Sequence, residues 1–200
     1  MMMRWLLVVF FLILTGCTSP RHGVSQRVDH AQLLAADLRW RATPLSVSGF
    51  DLMAFLPQDG RSGKELTVYI EGDGLAWLTP LRPSKNPTPL NPVGLKLALA
   101  HPEGKVAYLG RPCQYVAVNA WGCETRYWTE ERFSPAVVTA MSKAVDQLKT
   151  RAQVSQINIV GYSGGGAIAV LLAAQRTDVI RVITVAGNLD TQAWTQRHAL

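Results

Sequence analysis

Residues 157–174, INIVGYSGGGAIAVLLAA, constrain the fold more than any other stretch of the chain. A short apolar run leads into a cluster of glycines around Ser163, and a longer apolar segment follows. This pattern predicts a strand, a tight turn and a helix in immediate succession. The turn has the form Gly161-x-Ser163-x-Gly165, in which small neighbours let a strained serine project its hydroxyl above the sheet. A helix that begins at Gly164 would direct a backbone N–H toward developing negative charge.

At these residues the chain resembles the α/β-hydrolase superfamily. The resemblance covers residues 67–190 and implies an α/β fold, with a mostly parallel sheet and helices on both faces. It implies that Ser163 is a nucleophile and that Gly164 contributes an N–H to an oxyanion hole. It also implies that a catalytic acid and then a histidine base follow the serine in the chain. Asp190 and His198 occur in that order.

A second loop of the expected site has the sequence Glu-Gly-Asp-Gly and follows a strand predicted at residues 66–70. Members of the superfamily often carry a His-Gly-Gly-Gly-type sequence there, which supplies the second oxyanion-hole donor. By that resemblance the donor comes from Gly72, Asp73 or Gly74, of which the last two are preferred. Because carboxylates would oppose an oxyanion, the side chains of Glu71 and Asp73 are expected to brace the loop. A simple Asp-Gly turn is the alternative.

The last residues of the sequence predict fewer strands after Ser163 than the superfamily has. Residues 179–185 predict a sixth parallel strand, continuously apolar and covered on both faces, whose edge would have no partner. In the superfamily the base follows one or two further strand-helix units, whereas Asp190 and His198 are close together in the sequence. We therefore expect an incomplete sheet that stops after its sixth strand, in the N-terminal part of a longer hydrolase lineage.

The remaining sequence predicts further strands and helices that complete this architecture. Strands are expected at residues 38–42, 48–57 and 105–109 and helices at residues 93–100 and 135–151, the second with Ser134 as its N-cap. Residues 78–92 are too rich in proline for a helix or a central strand. We expect this loop to lie over the catalytic face and to recognise substrate, with a surface loop of no such role as the alternative.

Residues 1–16 predict the signal peptide of an exported lipoprotein. Arg4 precedes an apolar run at residues 5–14, and the sequence Leu-Thr-Gly-Cys follows, ending at Cys17. The run is too short to cross a hydrocarbon core of about 30 Å. The pattern resembles bacterial lipoproteins, which implies cleavage before Cys17 and acylation of that residue.

The residues after Cys17 predict how the domain is held at the membrane. Residues 17–37 are expected to form a tether and leading segment, and residues 38–200 an incomplete hydrolase-like domain. Thr18 and Ser19 stand where an aspartate would retain a lipoprotein in the inner membrane. The expected location is therefore the outer membrane, facing the periplasm, if the host is Gram-negative.

Cys113 and Cys123 are the two cysteines that remain once Cys17 is acylated. In an exported and oxidising setting, an even pair predicts a disulfide. Two free buried thiols are the alternative. Two cysteines without neighbouring histidines do not make a zinc site, and we expect neither a metal nor a cofactor.

Composition narrows the function. The chain has 200 residues and a formal net charge of +6, but its basic residues are scattered without a stripe or interleaved aromatics. This distribution argues against a nucleic-acid partner. The predicted function is a membrane-anchored serine hydrolase of ester or related acyl substrates, either small molecules or lipids. The alternatives are a catalytically inactive hydrolase-fold lipoprotein and a binding module, in which Gly161, Gly164 and Gly166 loosely mimic a dinucleotide site.

Overall fold

The computed structural model describes residues 23–117, 119–190, 192, 193 and 196. Three sequence-based predictions therefore fall outside the described residues, namely the signal peptide at residues 1–16, the acylated Cys17 and the base His198. Within the described part, no helix combines the length and hydropathy that a membrane span requires.

In the described part of the chain, eight strands form one large sheet and one small hairpin. The strands are β1 (Trp40–Val47), β2 (Phe50–Pro57), β3 (Glu65–Ile70), β4 (Trp77–Thr79), β5 (Arg82–Pro83), β6 (Lys105–Leu109), β7 (Gln156–Tyr162) and β8 (Val179–Val185). The large sheet has the order β1-β2-β6-β3-β7-β8, and β4 and β5 form the hairpin. β1, β2 and β6 are antiparallel neighbours, whereas β6, β3, β7 and β8 run parallel. The carboxyl ends of the parallel strands therefore meet at one edge, where open α/β sheets place their sites.

Helices cover both faces of this sheet, as predicted. The described helices are α1 (Val24–Asp37), α2 (Val93–Leu99), α3 (Pro135–Ala152) and α4 (Gly164–Gln175), with a 3-10 helix at Thr125–Trp128. α3 and α4 pack on the face that carries Leu52 and Ile159, and α1 and α2 pack on the face that carries Phe55 and Tyr108. Successive residues of a strand point to opposite faces, so the apolar strands of the sheet supply both cores.

β1 extends beyond its predicted end because it is an edge strand. The sequence predicts that this strand ends at residue 42, shortly before Pro44, but pairing with β2 continues to Val47. Proline has no N–H to donate, which an edge strand tolerates on its unpaired side. The α3 helix begins as predicted, since Ser134 Oγ accepts a hydrogen bond from the N–H of Val137 at 3.5 Å.

A packed helix replaces most of the predicted tether at residues 17–37. α1 buries Ala31 and Ala35 against the sheet, and its Arg27 Nη1 donates hydrogen bonds to the carbonyls of Asn86 and Thr88. The prediction of a tether is wrong for α1 because the buried positions of this helix are two alanines and an arginine. Such residues give little apolar periodicity, so contacts distant in sequence decide the structure of this segment.

β8 is the outermost strand of the described sheet and is not covered on both faces. Val179 and Val182 pack against the core shared with α4, but Ile180 and Ile183 are each 45% exposed. The prediction of a doubly covered strand is therefore wrong for the described residues. β8 does have the predicted apolar sequence. Whether helices and a neighbouring strand cover it depends on other parts of the chain, which the sequence of β8 does not encode.

Candidate active site

Ser163 stands at the turn between β7 and α4, in a backbone conformation that few residues adopt. Its φ is 50° and its ψ is −121°, and a positive φ is strained for any residue that carries a Cβ. The N–H of Ser163 donates to the carbonyl of Val185 at 2.9 Å, and its carbonyl accepts from the N–H of Gly166 at 2.8 Å. Hydrogen bonds on both sides thus hold the strained turn in place.

The glycines of the turn are required by close backbone contacts. A Cβ on Gly161 would lie 2.2 Å from the carbonyl oxygen of Gly165, and one on Gly165 would lie 2.4 Å from that of Glu71. A Cβ on Gly164 would lie 2.1 Å from Oδ1 of Asp73. These distances are far below van der Waals contact, so the loop after β3 and the start of α4 approach each other as closely as backbone allows.

Ser163 lines a cavity of about 460 Å³ at the carboxyl edge of the sheet. The walls come from the loop after β3 at residues 71–77, from residues 89–91, and from Trp128 and Arg132. The volume falls in the range typical of sites for small ligands. Residues 89–91 belong to the proline-rich loop, which is therefore placed beside the serine, as the sequence led us to expect.

Asp73 is paired with two arginines in the wall of this cavity. Its Oδ1 lies 3.2 Å from Nη1 of Arg111, and its Oδ2 lies 3.5 Å from Nε of Arg132. Both guanidinium groups also stack on the ring of Phe133, at 5.4 and 4.9 Å from its centroid. Burial lowers the pKa of Arg111, and the charge of Asp73 opposes that shift. The two guanidinium groups thus compensate the negative charge of Asp73 beside Ser163.

Glu71 ties the loop after β3 to the first turn of α2. Its Oε1 accepts from the N–H groups of Gly72 at 3.1 Å and Gly94 at 3.0 Å. Its Oε2 accepts from the N–H of Leu95 at 3.3 Å and from the hydroxyl of Tyr108 at 3.0 Å. Burial raises the pKa of Glu71, and these hydrogen bonds act in the opposite direction. The side chain braces the loop, in agreement with the electrostatic argument from sequence.

The structure narrows the choice of a second oxyanion donor. The N–H of Gly72 already donates to Glu71, and the carbonyl of Gly72 accepts from Nε2 of Gln114 at 2.9 Å. Asp73 and Gly74 are left as the candidate donors. Gly74 has a φ of 66°, and a Cβ there would lie 2.0 Å from the carbonyl oxygen of Pro87, so the glycine is required.

The structure does not bring the predicted acid to the cavity. Oδ1 of Asp190 accepts from the N–H of Ala193 at 2.8 Å, which is a capping contact at an exposed position. Asn188 lines the cavity instead, and its N–H donates to the carbonyl of Ser163 at 3.2 Å. Among the described histidines, His30 is exposed and His101 contacts the hydroxyl of Tyr69 at 3.0 Å. The assignments of Asp190 and His198 as acid and base stay predictions.

The sequence analysis missed three residues that contact the loop after β3: Arg111, Gln114 and Arg132. Arg111 lies two residues after the end of β6, and Asp73 lies three residues after the end of the neighbouring strand β3. Since the carboxyl ends of adjacent parallel strands meet at one edge, this position was a usable signal for Arg111. Gln114 and Arg132 lie in loops without a periodic pattern, so only the folded chain reveals them.

Comparison with solved structures identifies the fold of the chain. Neither protein-family models nor curated protein sequences match the chain. A solved structure from Agrobacterium tumefaciens, described as an α/β hydrolase of unknown function, is similar with a TM-score of 0.54 and 11% identity, over 78% of this chain and 64% of that one. The chain has an α/β-hydrolase fold.

Two named enzymes are also similar to this α/β-hydrolase-like chain. An esterase from Pyrococcus furiosus has a TM-score of 0.49 and 14% identity, over 76% of this chain and 53% of that one. A carboxylesterase from Bacillus subtilis has a TM-score of 0.45 and 15% identity, over 81% of this chain and 49% of that one. The chain thus spans about half to two thirds of the length of these three structures.

The described site of this α/β-hydrolase-like chain lies at the carboxyl edge of the parallel strands. β7 is a central strand of the sheet, and Ser163 follows its carboxyl end directly. The described residues include no group of acidic, histidine or cysteine side chains arranged to hold a metal ion. The Cys113–Cys123 disulfide forms as predicted, with Cα atoms 5.4 Å apart, and it closes the loop that precedes the 3-10 helix.

Proposed function

We propose that the chain is a serine hydrolase of esters or related acyl substrates, with Ser163 as its nucleophile. The observation that carries the proposal is the strained serine itself, held at φ 50° on the wall of an open cavity. Such strain costs about 1–3 kcal/mol and persists where the surrounding structure supports a functional geometry. The α/β-hydrolase fold supports the same chemistry.

The proposed reaction begins when Oγ of Ser163 attacks the acyl carbonyl carbon and its proton passes to a base. The N–H of Gly164, at the start of α4, and that of Asp73 or Gly74 stabilise the oxyanion of the tetrahedral intermediate. The C–O bond to the alcohol then breaks, the alcohol leaves with the proton, and water hydrolyses the acyl-enzyme. His198 and Asp190 remain the proposed base and acid.

The side chains around the loop suit this role. A free carboxylate at Asp73 would oppose the oxyanion, but the guanidinium groups of Arg111 and Arg132 compensate its negative charge. Both carboxyl oxygens of Glu71 accept hydrogen bonds, from the N–H groups of Gly72, Gly94 and Leu95 and from the hydroxyl of Tyr108, and these donors compensate its charge. Both carboxylates thus support the loop without repelling developing negative charge.

We further propose that the enzyme is a lipoprotein of the cell envelope, anchored through acylated Cys17. The support is the short apolar run at residues 5–14 followed by Leu-Thr-Gly-Cys. In a Gram-negative host the proposed location is the outer membrane, facing the periplasm. Mass spectrometry of the N-terminal peptide tests this directly, because acylated and free Cys17 differ by the mass of the lipid.

Ester turnover tests the proposed chemistry. The substrates are p-nitrophenyl esters with short and long acyl chains, and the enzyme is compared with Ser163→Ala. We expect the variant to lose roughly a thousandfold or more in turnover, because the nucleophile is gone. The matched control is Ser155→Ala, which alters an exposed serine just before β7. Turnover that survives in Ser163→Ala while the protein stays folded would refute the proposal.

One observation favours a second candidate, a catalytically inactive hydrolase-fold lipoprotein. Among the described residues, no histidine lines the cavity of Ser163. This candidate predicts that both the wild-type chain and Ser163→Ala bind a ligand and that neither hydrolyses an ester. A dinucleotide-binding module has no comparable support, because backbone packing already accounts for the turn glycines. A Cβ on Gly166, for example, would lie 2.8 Å from Cα of Gly187.

A further inference from the structure

Four exposed leucines belong to segments that line the Ser163 cavity or a cavity that adjoins it. The exposed fractions are 91% for Leu81, 64% for Leu33, 52% for Leu90 and 49% for Leu78. Isolated exposed leucines are ordinary, but contiguous apolar surface marks an interaction site. We refer to Leu33, Leu78, Leu81 and Leu90 as the leucine rim.

Leu90 connects the members of the leucine rim to the two cavities. Leu90 lines the Ser163 cavity, and it also lines an adjoining cavity of about 420 Å³ together with Leu33 of α1. Leu78 and Leu81 belong to the β4–β5 hairpin, whose Trp77 lines the Ser163 cavity. The rim therefore runs from the hairpin across Leu90 to α1.

Basic side chains flank the most exposed member of the rim. Arg82 and Lys85 are both exposed and follow Leu81 closely in the chain. An apolar tip with flanking cations matches the interface of a phospholipid bilayer, where acyl chains lie beneath anionic headgroups. This combination of charge and apolar surface favours a phospholipid bilayer as the partner of the leucine rim.

The proposed lipid anchor attaches on the same side. α1 begins at Val24, and its Arg27 donates hydrogen bonds to the carbonyls of Asn86 and Thr88, next to Leu90 in the chain. The chain from Cys17 to Gly23 spans at most about 21 Å, even when fully extended. An acyl group on Cys17 would therefore hold the start of α1 within that distance of the bilayer.

We propose that the leucine rim docks onto an anionic phospholipid bilayer, so that the mouth of the Ser163 cavity faces the lipid. The inference rests on the proposed acylation of Cys17, which supplies the tether. The opposite end of the sheet, at the amino ends of β3 and β6, then faces away from the membrane. Leu38 lies at that end, because it precedes β1 at the point where Trp40 pairs with Pro57.

Depth-dependent fluorescence quenching tests the docking. The full chain, purified from membranes, carries Leu81→Cys or Leu90→Cys labelled with nitrobenzoxadiazole, and is reconstituted into phosphatidylethanolamine–phosphatidylglycerol vesicles that contain spin-labelled acyl chains. The introduced thiol reacts selectively, because the proposed acylation blocks Cys17 and because Cys113 and Cys123 form a disulfide. The matched control is Leu38→Cys, since Leu38 is 55% exposed and Leu90 is 52% exposed.

We expect quenching at positions 81 and 90 to exceed that at position 38 by about threefold or more, because only the rim reaches the acyl chains. Equal quenching at all three positions, or none at 81 and 90, would overturn the docking. The same measurement on the Ser163→Ala background does not depend on hydrolysis, so failure of the enzyme proposal is seen separately. If mass spectrometry finds Cys17 unacylated, the tether does not exist and the proposed docking is overturned.

Discussion

Gly165 shows how single residues hold the candidate site together. A Cβ at this position would lie 2.4 Å from the carbonyl oxygen of Glu71 and 2.5 Å from that of Ile70. Both oxygens belong to backbone, which cannot move away without displacing the loop after β3 from the turn at Ser163. The glycine is thus required by the contact between the two halves of the proposed oxyanion hole.

We predict that Gly165→Ala lowers the free energy of unfolding by about 3 kcal/mol, through overpacking against backbone. Urea denaturation measures the change. The control is Gly60→Ala, where a Cβ would meet nothing within 4 Å, and we expect a change of at most about 0.5 kcal/mol. Similar stabilities for the two variants would contradict the packing described for the turn.

Glu71 makes stability depend on pH in a direction that the structure determines. Burial raises its pKa above the ordinary value of 4.5 in the folded chain, so the folded state binds its proton more tightly than the unfolded state. The stabilising contribution of the protonated group is complete below pH 4.5 and is lost as the pH rises from 4.5 through the folded pKa.

We therefore predict that the stability of the wild-type chain falls relative to that of Glu71→Gln as the pH rises above 4.5. Glutamine carries no charge at any pH, so the variant lacks this contribution. Urea denaturation at a series of pH values measures the difference. Glu103→Gln, which alters an exposed carboxylate, should keep the wild-type profile. Parallel profiles for wild type and Glu71→Gln would show that burial does not shift this group.

At the scale of elements, Asp178 joins α3 and α4 to the start of β8. It accepts hydrogen bonds from Nζ of Lys149 and from Nε and Nη2 of Arg176, the latter two at 2.9 and 2.7 Å. Burial opposes ionisation, but the bonds and charges of Arg176 and Lys149 prevail and lower the pKa of Asp178 from 3.8 to about 2. Its contribution is present above pH 3.8 and is lost as the pH falls toward 2.

We predict that Asp178→Asn lowers the free energy of unfolding by about 1 kcal/mol at neutral pH, a value that allows for solvent screening. The difference from wild type should shrink as the pH falls from 3.8 toward 2, where about half of the Asp178 side chains are protonated. Thermal or urea unfolding at both pH values measures it. Asp146→Asn removes a 55% exposed partner of Arg176 and should cost less. A cost for Asp178→Asn that is unchanged at pH 2 would rule out the ion-pair explanation.

The elements also show which patterns in the sequence are sufficient. α3 combines an N-cap at Ser134 with a full apolar face, and α4 is apolar throughout, so both lie where predicted. α1 was missed because two alanines and Arg27 form its buried side. Local patterns thus predict elements that carry their own apolar face, and they fail where a distant loop supplies the contacts.

The same division applies to the candidate site. Ser163, Gly164 and the loop at residues 72–74 follow from short motifs whose chemistry is local. Arg111 and Arg132 come from different loops and meet at Asp73 and Phe133. The position of Arg111 after β6 was a usable signal, whereas no local pattern predicts Arg132. The assignments of Asp190 as the acid and His198 as the base depend only on the order in which these residues follow Ser163 in the chain.

At the scale of the whole molecule, the fold gives the chain two distinct ends. The carboxyl edge of the parallel strands carries Ser163 and its cavity, which Leu90 and the hairpin residue Trp77 line, whereas Leu38 lies at the opposite edge. The α/β class and the helices on both faces were predictable, because alternating strands and helices determine that architecture. The rim was not, since its leucines come from α1, the hairpin and the proline-rich loop and become neighbours only on folding.

The central claim is that Ser163 is an activated nucleophile, and covalent labelling by a fluorophosphonate tests it most directly. Oγ of the serine would bond to phosphorus and fluoride would leave, adding a fixed mass to the chain. We predict a single adduct on the peptide that contains Ser163, present in the wild type and in Ser155→Ala and absent in Ser163→Ala. A folded wild-type chain that remains unlabelled, or a Ser163→Ala variant that labels equally, would contradict the claim.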